Sequence, residues 1–462
     1  LVVHELLIRV TADISVPDGA KYEDLGINFR RIASAILDKY IAPHFDEIDA
    51  VHEQLRKDAS GLIADELSHE LLPDKVQMRP AGEKQKRSWL SRVMKPGGTP
   101  QPPGETAEER QARVLAGWRA KASSAATPLE AACLDALITV VTAVTGKRGR
   151  LVGDSDLIVR LAVTLVGNEH GSQVIGDAIE PWLLEASRAE GFRLLPQQAK
   201  PVVMNVKGAS AAGKSTMRPL QRALAERIAI PWEDFALISP DIWRKFLLDY
   251  DALGEAYRYA GTMSGHELEI IDKKLDRYMA NKAAAGKMSH LLIDRFRFDS
   301  FVPEPDREEG SNLLTRFGDL VYIFFVITPP DATVERAWER GLKFGRYKAV
   351  DDLLDHNVEA FTGMPNLFFT WALRTEKRVH YEFLDNSVQK GRQPRTVAFG
   401  WNGEMNILDM KSMIDVDRFR KININADRPS DVYSAGTAAP ERNVDFLKDC
   451  VRLIPIINFA DQ

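Results

Sequence analysis

Gly208-Ala-Ser-Ala-Ala-Gly213-Lys214-Ser215, followed by Thr216, is the stretch whose reading decides the fold of this 462-residue chain. It fits G-x-x-x-x-G-K-[ST], the pattern of a phosphate-binding loop. Small residues let successive backbone N–H groups curl around phosphate oxygens, and a following helix turns its positive N-terminal end to the same anion. In that reading Gly208, Ala209, Ser210, Ala211, Ala212 and Gly213 form the cradle, with Thr216 closing it. Lys214 reaches the β- and γ-phosphates, and the Ser215 hydroxyl holds Mg²⁺. Context matters for so short a pattern. Before it, Pro201-Val-Val-Met-Asn-Val206 reads as a buried strand; after it, Met217, Leu220, Leu224 and Ile228 recur at helical spacing. Strand, loop and helix argue against the alternative of a glycine turn with an incidental lysine.

Working toward the C-terminus, Phe235-Ala-Leu-Ile-Ser-Pro-Asp241 reads as a second strand ending in an acid. Ligands of an open α/β sheet sit beyond the carboxyl ends of its strands, so Asp241 is delivered to the same edge as Lys214. It can take a proton from an attacking hydroxyl or help hold Mg²⁺; an N-cap role is the compatible alternative. A third strand, His290-Leu-Leu-Ile293, ends in Asp294, a second candidate acid and metal ligand. A fourth, Leu320–Ile327, is long, apolar and β-branched, as a central parallel strand should be. It leads into a helix with Arg336 and Arg340 on one face, then Gly345-Arg346. Guanidinium groups there could stabilise a transferring phosphoryl group, or simply pair with Glu335 and Glu339; the first reading is preferred for Arg340 and Arg346.

Apolar content of 45% and charged content of 27% are those of an ordinary globular chain, whose length predicts two or three domains. The net charge of −5 gives no global reason to expect nucleic acid. Cys133 and Cys450 lie far apart, make no metal spacing and fit a reducing, cytoplasmic compartment or simple indifference to redox state. No Sec-type signal is recognisable at the N-terminus, and no membrane span is expected; the most apolar run, Leu134–Val144, holds Asp135 and reads as a buried helix.

Residues 1–15 alternate loosely and suggest a strand. Leu25, Phe29, Ile32, Ile36 and Leu37 then mark one helical face, and Phe45, Ile48, Val51 and Leu55 another. His44, His52 and His69 are assigned to surface or packing roles. The basic segment 82–95 around Trp89 is read as a solvated helix face rather than an anion-binding one, and Pro96–Gly104 as a linker. Three helical runs follow, on Leu129/Cys133/Leu137/Val141, Leu157/Leu161/Leu165 and Ile179/Leu183/Ala186. The expected division is a helical region 1–95, a linker 96–106, a helical domain 107–196 and an α/β domain 197–462. In the tail, Tyr381–Leu384 and Thr396–Phe399 read as strands, Pro365–Trp371 as a helix packed on the core, and Asp385-Asn386 as a turn or a base contact.

GASAAGKST, ISPDIWRKFLLDY, SGHELEIIDKKL, LLIDR and VITPPDATVERAWERGLKFGR resemble, in order and spacing, the zeta-toxin family of phosphate-loop kinases, which is related to polynucleotide kinase. The resemblance covers roughly residues 200–350. It implies an α/β fold, a P-loop kinase core whose parallel sheet is flanked by helices, here preceded by a mainly α-helical region. It further implies ATP and Mg²⁺ as cofactors, Asp241 as the base for an acceptor hydroxyl, and Arg340 and Arg346 as phosphate clamps. Arg244, His266, Glu267, Glu269, Asp294 and Arg336 would fall around the acceptor. Known members phosphorylate UDP-N-acetylglucosamine and are neutralised by an antitoxin, and a secreted effector branch with a long helical N-terminal region acts on NAD. A neutralising partner or chaperone, and delivery into a host cell, are the corresponding expectations. Arg295 and the long tail beyond residue 365 depart from the family pattern and leave the acceptor open. The competing readings are an NTP-driven protein-binding switch and a polynucleotide 5′-hydroxyl kinase.

Overall fold

The computed structural model describes residues 1–19, 22–70, 107–148, 155–249, 252–294, 314–344, 347–389, 391–433 and 439–460. The basic segment 82–95, the Pro/Gly stretch and Arg295 lie outside the described residues. The chain is mixed α/β, and its sheet has eight strands in the order β2-β3-β1-β4-β5-β6-β7-β8. These are β1 (Val202–Gly208), β2 (Phe235–Ile238), β3 (His290–Ile293), β4 (Leu320–Ile327), β5 (Arg378–Asp385), β6 (Arg395–Trp401), β7 (Glu404–Ile407) and β8 (Ile456–Phe459). The first five are mutually parallel. β6 and β7 run antiparallel to their predecessors, and β8 lies parallel to β7 at the edge. Every residue of β1 is buried, as a strand covered on both faces must be.

The chain divides into two compact units, Leu1–Glu5 with Ile41–Pro181, and Leu6–Tyr40 with Trp182–Gln462. This differs from the division expected from sequence, because residues 6–40 are built into the second unit. The strand expected in residues 1–15 is a helix, α1 (Val2–Asp13). Its buried residues include Leu6, Leu7, Ile8 and Val10 but also Arg9 and Thr11, so apolar and polar positions follow no single face. Trp243 Nε1 donates to Thr11 Oγ1 (2.9 Å), Tyr278 donates its hydroxyl hydrogen to Asp13 (2.6 Å), and Arg9 lies over the Tyr278 ring. Helix α2 (Tyr22–Ile36) buries Leu25, Phe29, Ile32 and Ile36, the face read from sequence.

The first unit holds α3 (Phe45–Glu70), α4 (Ala107–Ser123), α5 (Pro128–Arg148), α6 (Ser155–Val166) and the start of α7 (Ser172–Glu190). Ile63, Trp118, Leu137, Val141 and Ala162 share its core, and Trp118 donates its indole N–H to Glu66 (2.9 Å). Two inward faces differ from expectation. α3 buries Ile48 and Leu55 but leaves Phe45 and Val51 exposed, and α6 buries Ile158, Ala162 and Val166 rather than Leu157 and Leu161. Both helices carry apolar residues on two faces, so spacing alone does not select the inner one. Residues Pro128–Gly146 of α5 are long and apolar enough to cross a membrane, the one such helix among the described residues. Its Cys133, Leu137 and Val141 face the unit's core while Asp135 and Thr139 face outward, the pattern of a core helix.

In the second unit α8 (Arg218–Arg227) follows the loop after β1, α9 (Pro240–Leu247) follows β2, and α10 (Ala260–Ala284) precedes β3. α11 (Pro330–Phe344) and α12 (Val350–Ala372) lie between β4 and β5, with α13 (Met410–Phe419) and α14 (Asp445–Leu453) in the tail. Pro365–Trp371 lies within α12 and packs on the sheet. Phe368 meets Phe325, Tyr381 and Phe383 edge-on, and Phe325 stacks on Phe383 at 4.8 Å. Because β1 to β5 are parallel, the segments that leave their carboxyl ends share one edge of the sheet.

Candidate active site

The phosphate-loop stretch sits at that edge, immediately after β1. Gly208 is closely packed, since an added Cβ would lie 3.0 Å from the Val326 carbonyl oxygen. Gly213 has φ +92° and an added Cβ there would lie 2.3 Å from Asn386 Nδ2, so both conformation and space demand glycine. Ala211 adopts φ 61°, a left-handed conformation that costs a non-glycine residue about 1–2 kcal/mol. Lys214 Nζ donates to the carbonyl oxygens of Gly208 (3.2 Å) and Ala209 (3.1 Å), which holds the ammonium over the loop.

Three donors converge on a single loop carbonyl, that of Ala212. Thr328 beyond β4 donates through Oγ1 (2.9 Å), Asn386 beyond β5 through Nδ2 (2.7 Å) and Arg336 on α11 through Nη1 (3.4 Å). Arg336 Nη2 also donates to the Asn386 carbonyl oxygen (2.6 Å), and burial lowers its pKa. Arg336 is therefore occupied in bracing the loop, and Asn386 braces it too. Neither Thr328 nor this use of Asn386 is legible in the sequence, since both bonds join strands distant along the chain.

A cavity of about 910 Å³ opens beside the loop. It brings together six residues expected at the site: Lys214, Asp241, Arg244, Glu269, Asp294 and Arg340, along with Ser210 and Ala211 of the cradle. Asp241 is in the first turn of α9, whose N-cap is Ser239, leaving the aspartate to face the cavity. Its carboxylate lies 3.8 Å from Arg244 Nη2, a loose ion pair. Asp294 follows β3 directly; its N–H donates to the Ile238 carbonyl oxygen (2.9 Å) and its carboxylate lies 4.0 Å from Arg218. On α10 the cavity takes Gly261, Gly265, Glu269 and Asp272, whereas His266 and Glu267 are exposed and do not line it. Arg346 lies outside the described residues.

Ser215 and Thr216 line a second cavity of about 710 Å³, with Arg218, Arg222 and Arg392. Asp18 at its rim accepts from Arg222 (2.8 and 2.9 Å). Among the described residues no group of three or more His, Cys, Asp or Glu is placed to hold a metal ion. Of the two residues expected as Mg²⁺ donors, Ser215 lines the second cavity and Asp294 the first; Mg²⁺ commonly takes one or two protein oxygens and completes its shell with phosphate and water.

Two further residues line the first cavity without belonging to any motif, Lys348 and His356. Burial chiefly, with Arg340 and Lys214 adding to it against Asp352 and Glu359, pushes the Lys348 pKa down to about 8. Burial, then Lys348 and Lys214, pushes that of His356 down to about 3. Lys348 lies two residues before α12, and His356 lies in its second turn. Comparison with family models, with curated proteins and with solved structures gives no match for this chain.

Proposed function

We propose that this chain is a phosphate-loop kinase that moves the γ-phosphoryl group of ATP to a hydroxyl of a small nucleotide-type acceptor. The observation that carries the reading is the single cavity into which Lys214, Asp241, Asp294 and Arg340 all open. A loop that cradles phosphate predicts only nucleotide binding; a carboxylate and a guanidinium in the same cavity supply what transfer needs in addition. On this reading β2-β3-β1-β4-β5 form the P-loop kinase core, with the loop beyond its central strand.

The loop and Lys214 hold the β- and γ-phosphates. Asp241 accepts the acceptor's hydroxyl proton as the new O–P bond forms, the bond to the β-phosphate oxygen breaks, and ADP departs. Arg340 offsets the negative charge spread over the transferred group. Ser215 and Asp294 would be the oxygen donors for Mg²⁺, which would neutralise charge on the phosphate oxygens. The second cavity, behind Ser215 and Thr216, has room for the nucleoside end of ATP. Arg244 and Glu269 offer polar contacts to the acceptor, and Tyr259 and Trp338 offer rings against which a base can stack. UDP-N-acetylglucosamine and NAD fit that description. Consuming either would be toxic to a cell, which calls for a neutralising antitoxin or chaperone.

Purified protein incubated with ATP, Mg²⁺ and a panel of UDP-sugars, NAD and oligonucleotides should add the mass of one phosphate to a small nucleotide. ATP hydrolysis stimulated by a protein, with no acceptor phosphorylated, would instead establish a binding switch.

A further inference from the structure

Lys348 Nζ lies 2.6 Å from His356 Nδ1 and 3.0 Å from Nε2. The residue before the lysine is closely packed. The ring of the preceding Tyr347 lies on Gly341, where an added Cβ would be 2.3 Å from Cδ1, and its centroid is 5.6 Å from that of Trp338. The charged and titratable groups facing Lys348 are His356, Asp352 and Glu359 on α12, Arg340 on α11 and Lys214 on the phosphate loop. We infer that Lys348 is a further phosphate-contacting cation of this site, gripping the terminal phosphoryl group of a nucleoside triphosphate together with Lys214 and Arg340, and that His356 is a positioning residue which holds its ammonium there. The identity of the anion rests on the kinase reading above.

The chemistry follows from the charges. Three cations that line one cavity, with Arg340 and Lys214 near enough to act on Lys348, repel one another, and a polyphosphate with three or more negative charges turns that repulsion into binding energy. His356 does not add to the repulsion, because an imidazole with its pKa near 3 is neutral at physiological pH and offers a lone pair to the ammonium. A lysine that titrates near 8 is still mostly charged at neutral pH, yet it is discharged by a modest rise in pH. Binding of the anion raises the pKa of Lys348, so affinity is complete below about 8 and declines as pH rises above it.

The test reads ATP binding rather than turnover, by calorimetric titration of the full chain between pH 7.5 and 9.5, where the terminal phosphate is fully ionised (second pKa about 6). Wild-type affinity should fall about tenfold across that range. Lys348→Arg, charged throughout, should bind with no such fall. Lys348→Met should bind at pH 7.5 as weakly as the wild type does at pH 9.5, without pH dependence. His356→Glu places a carboxylate beside the ammonium and should move the decline to higher pH, a change that mere loss of packing would not produce. Wild-type affinity and pH profile in Lys348→Met would overturn the inference, as would a pH-dependent fall that persists in Lys348→Arg. If the pattern holds but no acceptor is phosphorylated, the cation assignment stands and the transfer reading fails. Absence of ATP binding by the wild type contradicts both.

Discussion

Ala212 contributes only a carbonyl oxygen to the site, yet Thr328, Asn386 and Arg336 all donate to it. A loop whose backbone must meet phosphate oxygens at hydrogen-bond distance gains from being fixed before the ligand arrives, because ordering it then costs nothing. Gly213 is part of the same arrangement, with Asn386 Nδ2 occupying the space a side chain would need. Gly213→Ala should therefore lose most nucleotide affinity, combining a left-handed penalty of about 1–2 kcal/mol with displacement of Asn386. Arg336→Ala and Asn386→Ala share one acceptor and contact each other, so their effects on ATP affinity and thermal stability should be non-additive by about 0.5–3 kcal/mol in a double-mutant cycle. Strict additivity would show that they act separately. Lys214 and Asp294 could be placed at one sheet edge from the sequence, because each follows an apolar run that reads as a strand. Thr328, Lys348 and His356 were not singled out, because they belong to no motif and are brought to the loop and cavity by the fold.

At the scale of elements, the strands were the most readable part of the chain. β3 and β4 are apolar runs followed by a polar residue and their limits match the runs, whereas β2 ends at Ile238, three residues before the expected Asp241, which lies in the first turn of α9. Helix α1 was misread because burial on most of its sides removes the 3.6-residue contrast that marks a helix. The inner faces of α3 and α6 were misassigned because each carries a second apolar stripe. Helix α12 links these elements to the site, since its first turns carry Asp352 and His356 while its last turns bury Phe368 and Trp371 on the sheet. Phe368→Ala should destabilise the second unit by about 3–5 kcal/mol, read as a lower denaturant midpoint, because five aromatic partners, Phe325, Phe369, Tyr381, Phe383 and Phe446, lose their contact. Leu342→Ala on the exposed face of α11 should shift it by less than about 0.5 kcal/mol. Equal losses in the two variants would contradict the packing described.

Each compact unit carries one of the two cysteines, Cys133 in the first and Cys450 in the second. Burial pushes the Cys133 thiol up to about 12, with Glu130 adding to it, and burial likewise raises that of Cys450. A thiol so held is a poor nucleophile, so neither should react with a thiol reagent at pH 8 while its unit is folded. Labelling mapped by peptide mass then reports the opening of each unit separately, and rapid labelling of the native protein would show that the burial is wrong. All residues lining the two cavities belong to the second unit, so the chemistry is assigned there and none of it to the first. The central claim is that the first cavity both holds the terminal phosphates of ATP and activates a hydroxyl, and Asp241→Asn separates the two most directly. ATP affinity and phosphoryl transfer measured side by side should show affinity within about threefold of wild type and transfer reduced by about 10²–10⁴-fold. Transfer at the wild-type rate in Asp241→Asn would contradict the account.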